Sequence, residues 1–251
     1  MKSKNIKFTG STGETLSAKV DLPDGAPKAY ALFAHCFTCS KDLKAIGNIT
    51  KALAGCGIAT LKFDFTGLGQ STGDFADTNF SSNVDDLINA YEFMVEEAEA
   101  PSILIGHSLG GAAVLQASHK MPSIKAVATI GAPAEPAHVK ENFAMSLDEI
   151  KEKGEATVSL AGRPFVIKKQ FIDDLEEARM KKFIHGLGKA LIIFHSPIDD
   201  TVGIDNASKI FIAAKHPKSF ISLDKADHLL SEKEDSVYVG NVLATWAEKY
   251  I

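Results

Sequence analysis

The sequence predicts an α/β fold in which a mostly parallel sheet carries helices on both faces. Three observations lead there. Short apolar runs alternate with amphipathic stretches of helical spacing along most of the 251 residues. Several runs are apolar at nearly every position, the pattern of strands buried on both sides. The residues best suited to catalysis fall just after such runs, where open parallel sheets place their sites.

"IKFTG" and "TLSAKVDLP" read as two strands followed by the Pro/Gly turn "PDGAP". "AYALFAHCF" is a buried strand, and "KDLKAIGNITKALAGCG" a helix with Leu43, Ile46, Ile49 and Leu53 on one face and glycine at its end. "IATLKFDF" is the next strand. "SSNVDDLINAYEFMVEEA" is an amphipathic helix with Ser82 as its expected N-cap. "SILIGH", "SLGGAAVLQASHK" and "IKAVATIGAP" give strand, helix and strand. The rhythm then breaks: "ATVSLAGRPFVIKK" reads as a hairpin and "DDLEEARMKKF" as a helix. It resumes with "ALIIFHSP", "IDNASKIFIAAKH", "SFISL" and "SVYVGNVLATWAEKYI". The expected organisation is one core domain, residues 1–134 and 188–251, interrupted by a cap at 135–187 made of helices plus a β-hairpin.

A hydrophobic content of 45% and a charged content of 24% are ordinary for a globular chain. A net charge of −5 gives no basic footprint for nucleic acid or anionic membrane. The N-terminus lacks the apolar core of a signal peptide. No run reaches the ~18 apolar residues of a membrane span. The cysteines, Cys36, Cys39 and Cys56, are odd in number, which argues against a disulfide framework and for a reducing compartment, expected to be the cytoplasm.

Gly106-His107-Ser108-Leu109-Gly110 matches G-x-S-x-G. By average residue usage, roughly one chain in ten of this length matches by chance. The placement adds weight: an apolar strand precedes Ser108 and a helix rich in Ala and Gly follows, the context of a nucleophile elbow. A serine N-cap in a glycine turn is the competing reading. Neutral serine needs a histidine base, itself oriented by a carboxylate. His228 is the candidate base, in the loop between the last strand and the last helix. "FHSPIDDTVGI" supplies the acid, Asp199 preferred over Asp200. His119, His138, His185 and His216 read as solvated, His107 as structural, and His195 as a buried, satisfied histidine. The order Ser108, Asp199, His228 is that of α/β-hydrolases.

On these residues the chain resembles the α/β-hydrolase superfamily over nearly its whole length. "FDFTGLGQSTG" is similar to the D-x-x-G-x-G-x-S segment common after the fourth strand there. Asp64, Gly67, Gly69 and Ser71 match it, with a turn-forming role. The resemblance implies an α/β-hydrolase fold and puts a cap where the insertion lies. More narrowly, "FAHCFTCSKD", "TNFSSNVDDL" and "HSPIDDTVGIDNASKIF" resemble bacterial serine hydrolases often fused to an OsmC-type domain. No such domain is expected within these residues, and its peroxide chemistry is not carried over. The superfamily usually has His-Gly after the third strand; here it is His35-Cys36-Phe37. A backbone N–H donor does not require glycine, so Phe37 and Leu109 are expected to form the oxyanion hole, with Cys36 narrowing the space beside it.

Cys36-Phe37-Thr38-Cys39 is a C-x-x-C between strand and helix, the context of a thioredoxin-type pair. Two small buried thiols is the leading reading, ahead of a redox switch and of dithiol catalysis. The expected activity is serine-dependent cleavage of a small or medium acyl ester or thioester, with no cofactor and no metal. Cys36, His107, Phe143, Phe165 and Phe171 are candidate pocket residues, as are Met145, Met180 and Phe183; for the six from the cap, packing the cap onto the domain is at least as good a reading. The only expected partner is a small-molecule ester, with no nucleic acid or membrane; the chain is a monomer or homodimer.

Overall fold

The apolar runs pair into one eight-stranded sheet. The computed structural model, which describes every residue except 161, orders it β1 (Lys2–Thr9), β2 (Thr15–Leu22), β4 (Ile58–Phe63), β3 (Ala29–Ala34), β5 (Ile103–His107), β6 (Ala126–Ile130), β9 (Ala190–His195) and β10 (Lys218–Ser222). β1, β2 and β4 pair antiparallel; every pairing from β4 onward is parallel. β4, β5, β6 and β9 are buried at every residue, in keeping with their largely apolar sequence; Lys62 within β4 is paired with Asp21 at 2.9 Å.

Successive residues of a strand face opposite sides, and this sorts the core into two layers. Phe33, Ile105, Ala128 and Phe194 meet α1 (Lys44–Gly55) and α8 (Lys233–Ala247). Their neighbours Leu32, Leu104, Val127 and Ile193 meet the opposite layer, which includes α2 (Phe80–Glu97) and α3 (Leu109–Ala117). Between β6 and β9 come a 3-10 stretch (Pro136–Ser146), α4 (Leu147–Lys153), the hairpin β7 (Glu155–Leu160) and β8 (Arg163–Lys168), α5 (Lys169–Glu177) and α6 (Met180–His185). Position 161, in the expected hairpin turn, lies outside the described residues. α7 (Asp205–Ala213) links β9 to β10. Among the described residues no helix is long and apolar enough to cross a membrane.

Two local expectations are corrected. Helix α2 starts at Phe80, whose ring is buried, so Asn79 is the N-cap and Ser82 sits one turn inside. Asn79 Oδ1 accepts from the Ser82 N–H at 2.8 Å and Ser82 Oγ accepts from the Asn79 N–H at 2.9 Å, a reciprocal capping box. The helix expected over "DDLEEARMKKF" is two helices, because Ala178 and Arg179 leave helical geometry. The Arg179 guanidinium takes up the Glu176 and Ala178 carbonyls freed at the break, and buried Met180 donates its N–H to Glu135.

The loops after β3 and β4 are tied by a buried ion pair. Lys41 Nζ lies 2.6 Å from Asp64 Oδ2, and Asp64 also accepts from the backbone N–H groups of Lys41 and Gln70. Lys41 is 2% exposed and Asp64 0%. Ser71 Oγ donates to the Asp64 carbonyl, so the D-x-x-G-x-G-x-S segment folds around its own aspartate. Removing one partner of such a pair strands the other charge away from water. Lys41→Met is therefore expected to cost about 3–5 kcal/mol in urea unfolding, and a loss indistinguishable from that of an exposed lysine would contradict it.

Candidate active site

Ser108 stands between β5 and α3 with φ 55° and ψ −125°. Such a conformation in a non-glycine residue costs on the order of 1–3 kcal/mol and persists only where the surroundings enforce it. They do. A Cβ at Gly106 would lie 2.3 Å from the Gly110 carbonyl oxygen, and one at Gly110 would lie 2.4 Å from that of His35. Only glycine lets strand, turn and helix approach this closely. The Ser108 N–H is held by the Ile130 carbonyl on β6 at 2.8 Å.

The loops after β9 and β10 bring the other residues in. His228 Nε2 lies 2.9 Å from Ser108 Oγ, and His228 Nδ1 lies 2.8 Å from Asp199 Oδ2. All three are buried. Asp199 Oδ1 accepts from the N–H groups of Thr201 and Val202 at 3.0 and 2.8 Å. Burial alone would raise its pKa; the bonds from His228, Val202 and Thr201 outweigh that and hold the carboxyl below its usual value. Asp200, the alternative acid, is exposed and accepts from the Thr201 hydroxyl at 3.3 Å, with no contact to His228 among the described residues.

Leu109 opens α3, so its N–H is one of the donors a helix leaves unpaired. Among the described residues the Phe37 N–H also has no backbone or side-chain acceptor. Phe37 lies in the bend after β3. The pair expected as two thiols is instead a disulfide, Cys36–Cys39, with the Phe37 donor inside its ring. The Cα atoms, 5.3 Å apart across Thr38 at φ 58°, are within bonding reach, which spacing alone could not show. Cys56 is free and exposed.

A cavity of about 290 Å³ opens over Ser108 and His228, near the small end for ligand sites. Cys36, Phe37, Cys39, Asn142 and Leu160 are among the residues that line it. Of the candidate pocket residues, Cys36 lines it. Phe143, Phe165 and Phe171 do not, nor does His107, whose ring lies buried beneath the His228 loop. The three phenylalanines join a cluster with Phe37 and Phe75 that cements the insertion to the sheet domain. Met145 is fully exposed, Met180 is fully buried, and Phe183 packs beside His119. Apolar side chains of the insertion seal its underside, leaving Asn142, Ser159 and Leu160 to face the cavity. The hairpin also reaches the disulfide loop directly: the Arg163 guanidinium donates to the Thr38 carbonyl.

A family model described as "Serine aminopeptidase, S33" matches residues 25–163, just over half of the chain, and takes in the Ser108 turn. The chain belongs to that family of α/β-hydrolases. This hydrolase is 49% identical to the esterase domain of a Rhodothermus marinus protein, with a TM-score of 0.81 and 100% and 99% of the two chains covered. The mouse mitochondrial palmitoyl-protein thioesterase ABHD10 is 28% identical over 76% of this hydrolase, which spans 65% of that relative's length. The structure of mouse α/β-hydrolase domain-containing protein 10 superposes with a TM-score of 0.80 at 21% identity, over 98% of this chain and 99% of that one. That likeness establishes the fold.

The buried histidines give a pH prediction. Burial is the largest influence on His107 and pushes its pKa from 6.5 down to about 3; it lowers His35 and His195 as well. Below pH 6.5 the unfolded chain binds protons that the folded hydrolase refuses, so stability falls as pH drops toward 3. Each such ring adds a slope approaching about 1.4 kcal/mol per pH unit. Urea midpoints should decline steadily from pH 7.5 to pH 4.5; a flat profile would mean that the rings are hydrated or already charged.

Proposed function

We propose that this hydrolase cleaves small or medium acyl esters or thioesters through an acyl-enzyme on Ser108. The observation that carries the reading is the continuous chain from Ser108 Oγ through His228 to Asp199, at 2.9 and 2.8 Å. His228 takes the hydroxyl proton as Ser108 attacks the carbonyl carbon. Asp199 holds the Nδ1–H tautomer and stabilises the imidazolium that forms. The N–H groups of Phe37 and Leu109 receive the oxyanion. His228 then protonates the leaving alcohol or thiol, and water, activated by the same ring, releases the acid. A serine at this position also disfavours dehalogenase or epoxide hydrolase chemistry, which calls for a carboxylate nucleophile.

The names of the relatives, an esterase and a thioesterase, agree with this reading. The family description names a peptidase, but among the described residues no carboxylate lines the cavity to hold a peptide's amino terminus. Residues 135–187 act as a cap, presenting Asn142, Ser159 and Leu160 to the substrate. The site needs no cofactor or metal; we keep the cytoplasm as its place, where a disulfide such as Cys36–Cys39 is a transient or redox-sensing bond rather than a structural one.

A fluorophosphonate probe should label the protein and not Ser108→Ala, and short-chain p-nitrophenyl esters should be cleaved with the same dependence. Ser108→Ala is expected to lose about three to six orders of magnitude in kcat. Equal labelling of variant and wild type would sink the mechanism.

The disulfide favours a second reading, that of a redox-switched hydrolase. Cys36 and Cys39 line the cavity and bracket the Phe37 donor, so opening the ring by a dithiol reductant frees that loop. Labelling rates before and after dithiothreitol should differ in wild type and not in a variant carrying both Cys36→Ser and Cys39→Ser; identical rates in wild type exclude the switch.

A further inference from the structure

Three buried histidines close three strands of the parallel sheet, and the proposed chemistry uses none of them. His35 follows β3 directly, His107 is the last residue of β5, and His195 the last of β9. They are 1%, 3% and 0% exposed. Each ring has a backbone carbonyl within hydrogen-bond distance, and each carbonyl belongs to a different loop. His35 Nδ1 is 2.8 Å from the Cys36 oxygen, His107 Nε2 is 2.8 Å from the His228 oxygen, and His195 Nε2 is 2.7 Å from the Val202 oxygen.

A carbonyl oxygen only accepts, so each contacting nitrogen carries the proton. At His35 the opposite nitrogen accepts from the Phe65 N–H at 3.4 Å, which fixes the same tautomer independently. The three bonded loops are those that carry the three components arranged around Ser108. The Cys36 carbonyl belongs to the peptide whose other end is the Phe37 N–H. In a trans peptide the two groups point opposite ways, so anchoring the carbonyl inward aims the N–H outward. The His228 carbonyl anchors the backbone of the base itself. Val202 donates its own N–H to Asp199 Oδ1 at 2.8 Å, so holding its carbonyl holds the turn around the acid.

We propose that His35, His107 and His195 are positioning residues, each spending one ring N–H to hold the loop that carries the oxyanion donor, the base and the acid respectively. The proposal rests on the Ser108 reading. Histidine suits the task because the ring is rigid and reaches a carbonyl beyond the strand end. The rings are also kept neutral by burial, so each retains one fixed donor. At His195 the Nδ1 has no partner among the described residues, while Nε2, besides meeting the Val202 oxygen, lies 3.7 Å from Asp199 Oδ2.

The test exploits the difference between the two ring nitrogens. Glutamine places an amide N–H where histidine has Nε2; asparagine places one where histidine has Nδ1. His107→Gln and His195→Gln should therefore preserve turnover where His107→Asn and His195→Asn lose it, and the pattern should invert at position 35. Loss of a held loop is expected to lower kcat and the fluorophosphonate rate about tenfold to a hundredfold, with KM within about threefold. The downfield proton resonance of the His228–Asp199 bond should shift in the variants that lose turnover and stay in place in those that keep it. Both members of each pair are polar and similar in size, so their thermal midpoints control for folding. A labelled wild type whose variants fail to cross in this way overturns the positioning role alone; a wild type that neither labels nor cleaves esters overturns the Ser108 reading and this proposal with it.

Discussion

The site depends on one backbone constraint, the left-handed conformation of Ser108. A serine held at positive φ projects its side chain above the sheet, ahead of the helix that follows, where loops from other strands can reach it. That conformation survives because Gly106 and Gly110 let β5, α3 and the loop after β3 close to distances no Cβ would tolerate. The hydroxyl's position, the availability of the Leu109 N–H and the closeness of the His35–Phe37 loop follow from the same packing. What remains is to bring the His228 and Asp199 side chains to a point already fixed.

Those parts arrive on loops, the least rigid elements of a fold, and the structure compensates at each. Lys41 and Asp64 join the loops after β3 and β4 through an ion pair shielded from water. Asp199 is wrapped by two backbone N–H groups. Polar interactions in the interior contribute little net stability when complete and cost much when broken. Their value here lies in defining one arrangement of the loops rather than in strengthening the fold.

Much of this was legible in the sequence. Continuous apolar runs placed the parallel strands, and the chain order of Ser108, Asp199 and His228 located the residues that the structure brings together. Other features had no signal of comparable strength. Lys41 sits in "TCSKD" among polar residues and looks solvated; only the depth of Asp64 beneath that loop shows otherwise. Ser82 and Asn79 are both good caps, and the choice between them was made by burial of Phe80, a tertiary fact. For the aromatic residues of the insertion the sequence left two readings open, lining the cavity or packing the cap onto the domain, and Phe143, Phe165 and Phe171 lie in the joint. Composition tells that a side chain will be buried, and not against which surface. The disulfide depended on a bend at Thr38 that residue spacing does not encode.

The contact between Arg163 and the Thr38 carbonyl joins the roof of the cavity to the loop bearing the Phe37 donor. The roof and the donor are therefore not mechanically independent. On the proposed reading, an acyl group too long for the space beneath β7 and β8 would displace the hairpin, and the hairpin would draw on the loop as it moved. Molecules of the wrong size would then be admitted and bound, yet held against a misaligned donor. Under the proposed activity, selection by length would be expressed in the rate of turnover more than in affinity, with the insertion acting as a gauge whose reading is transmitted to the chemistry.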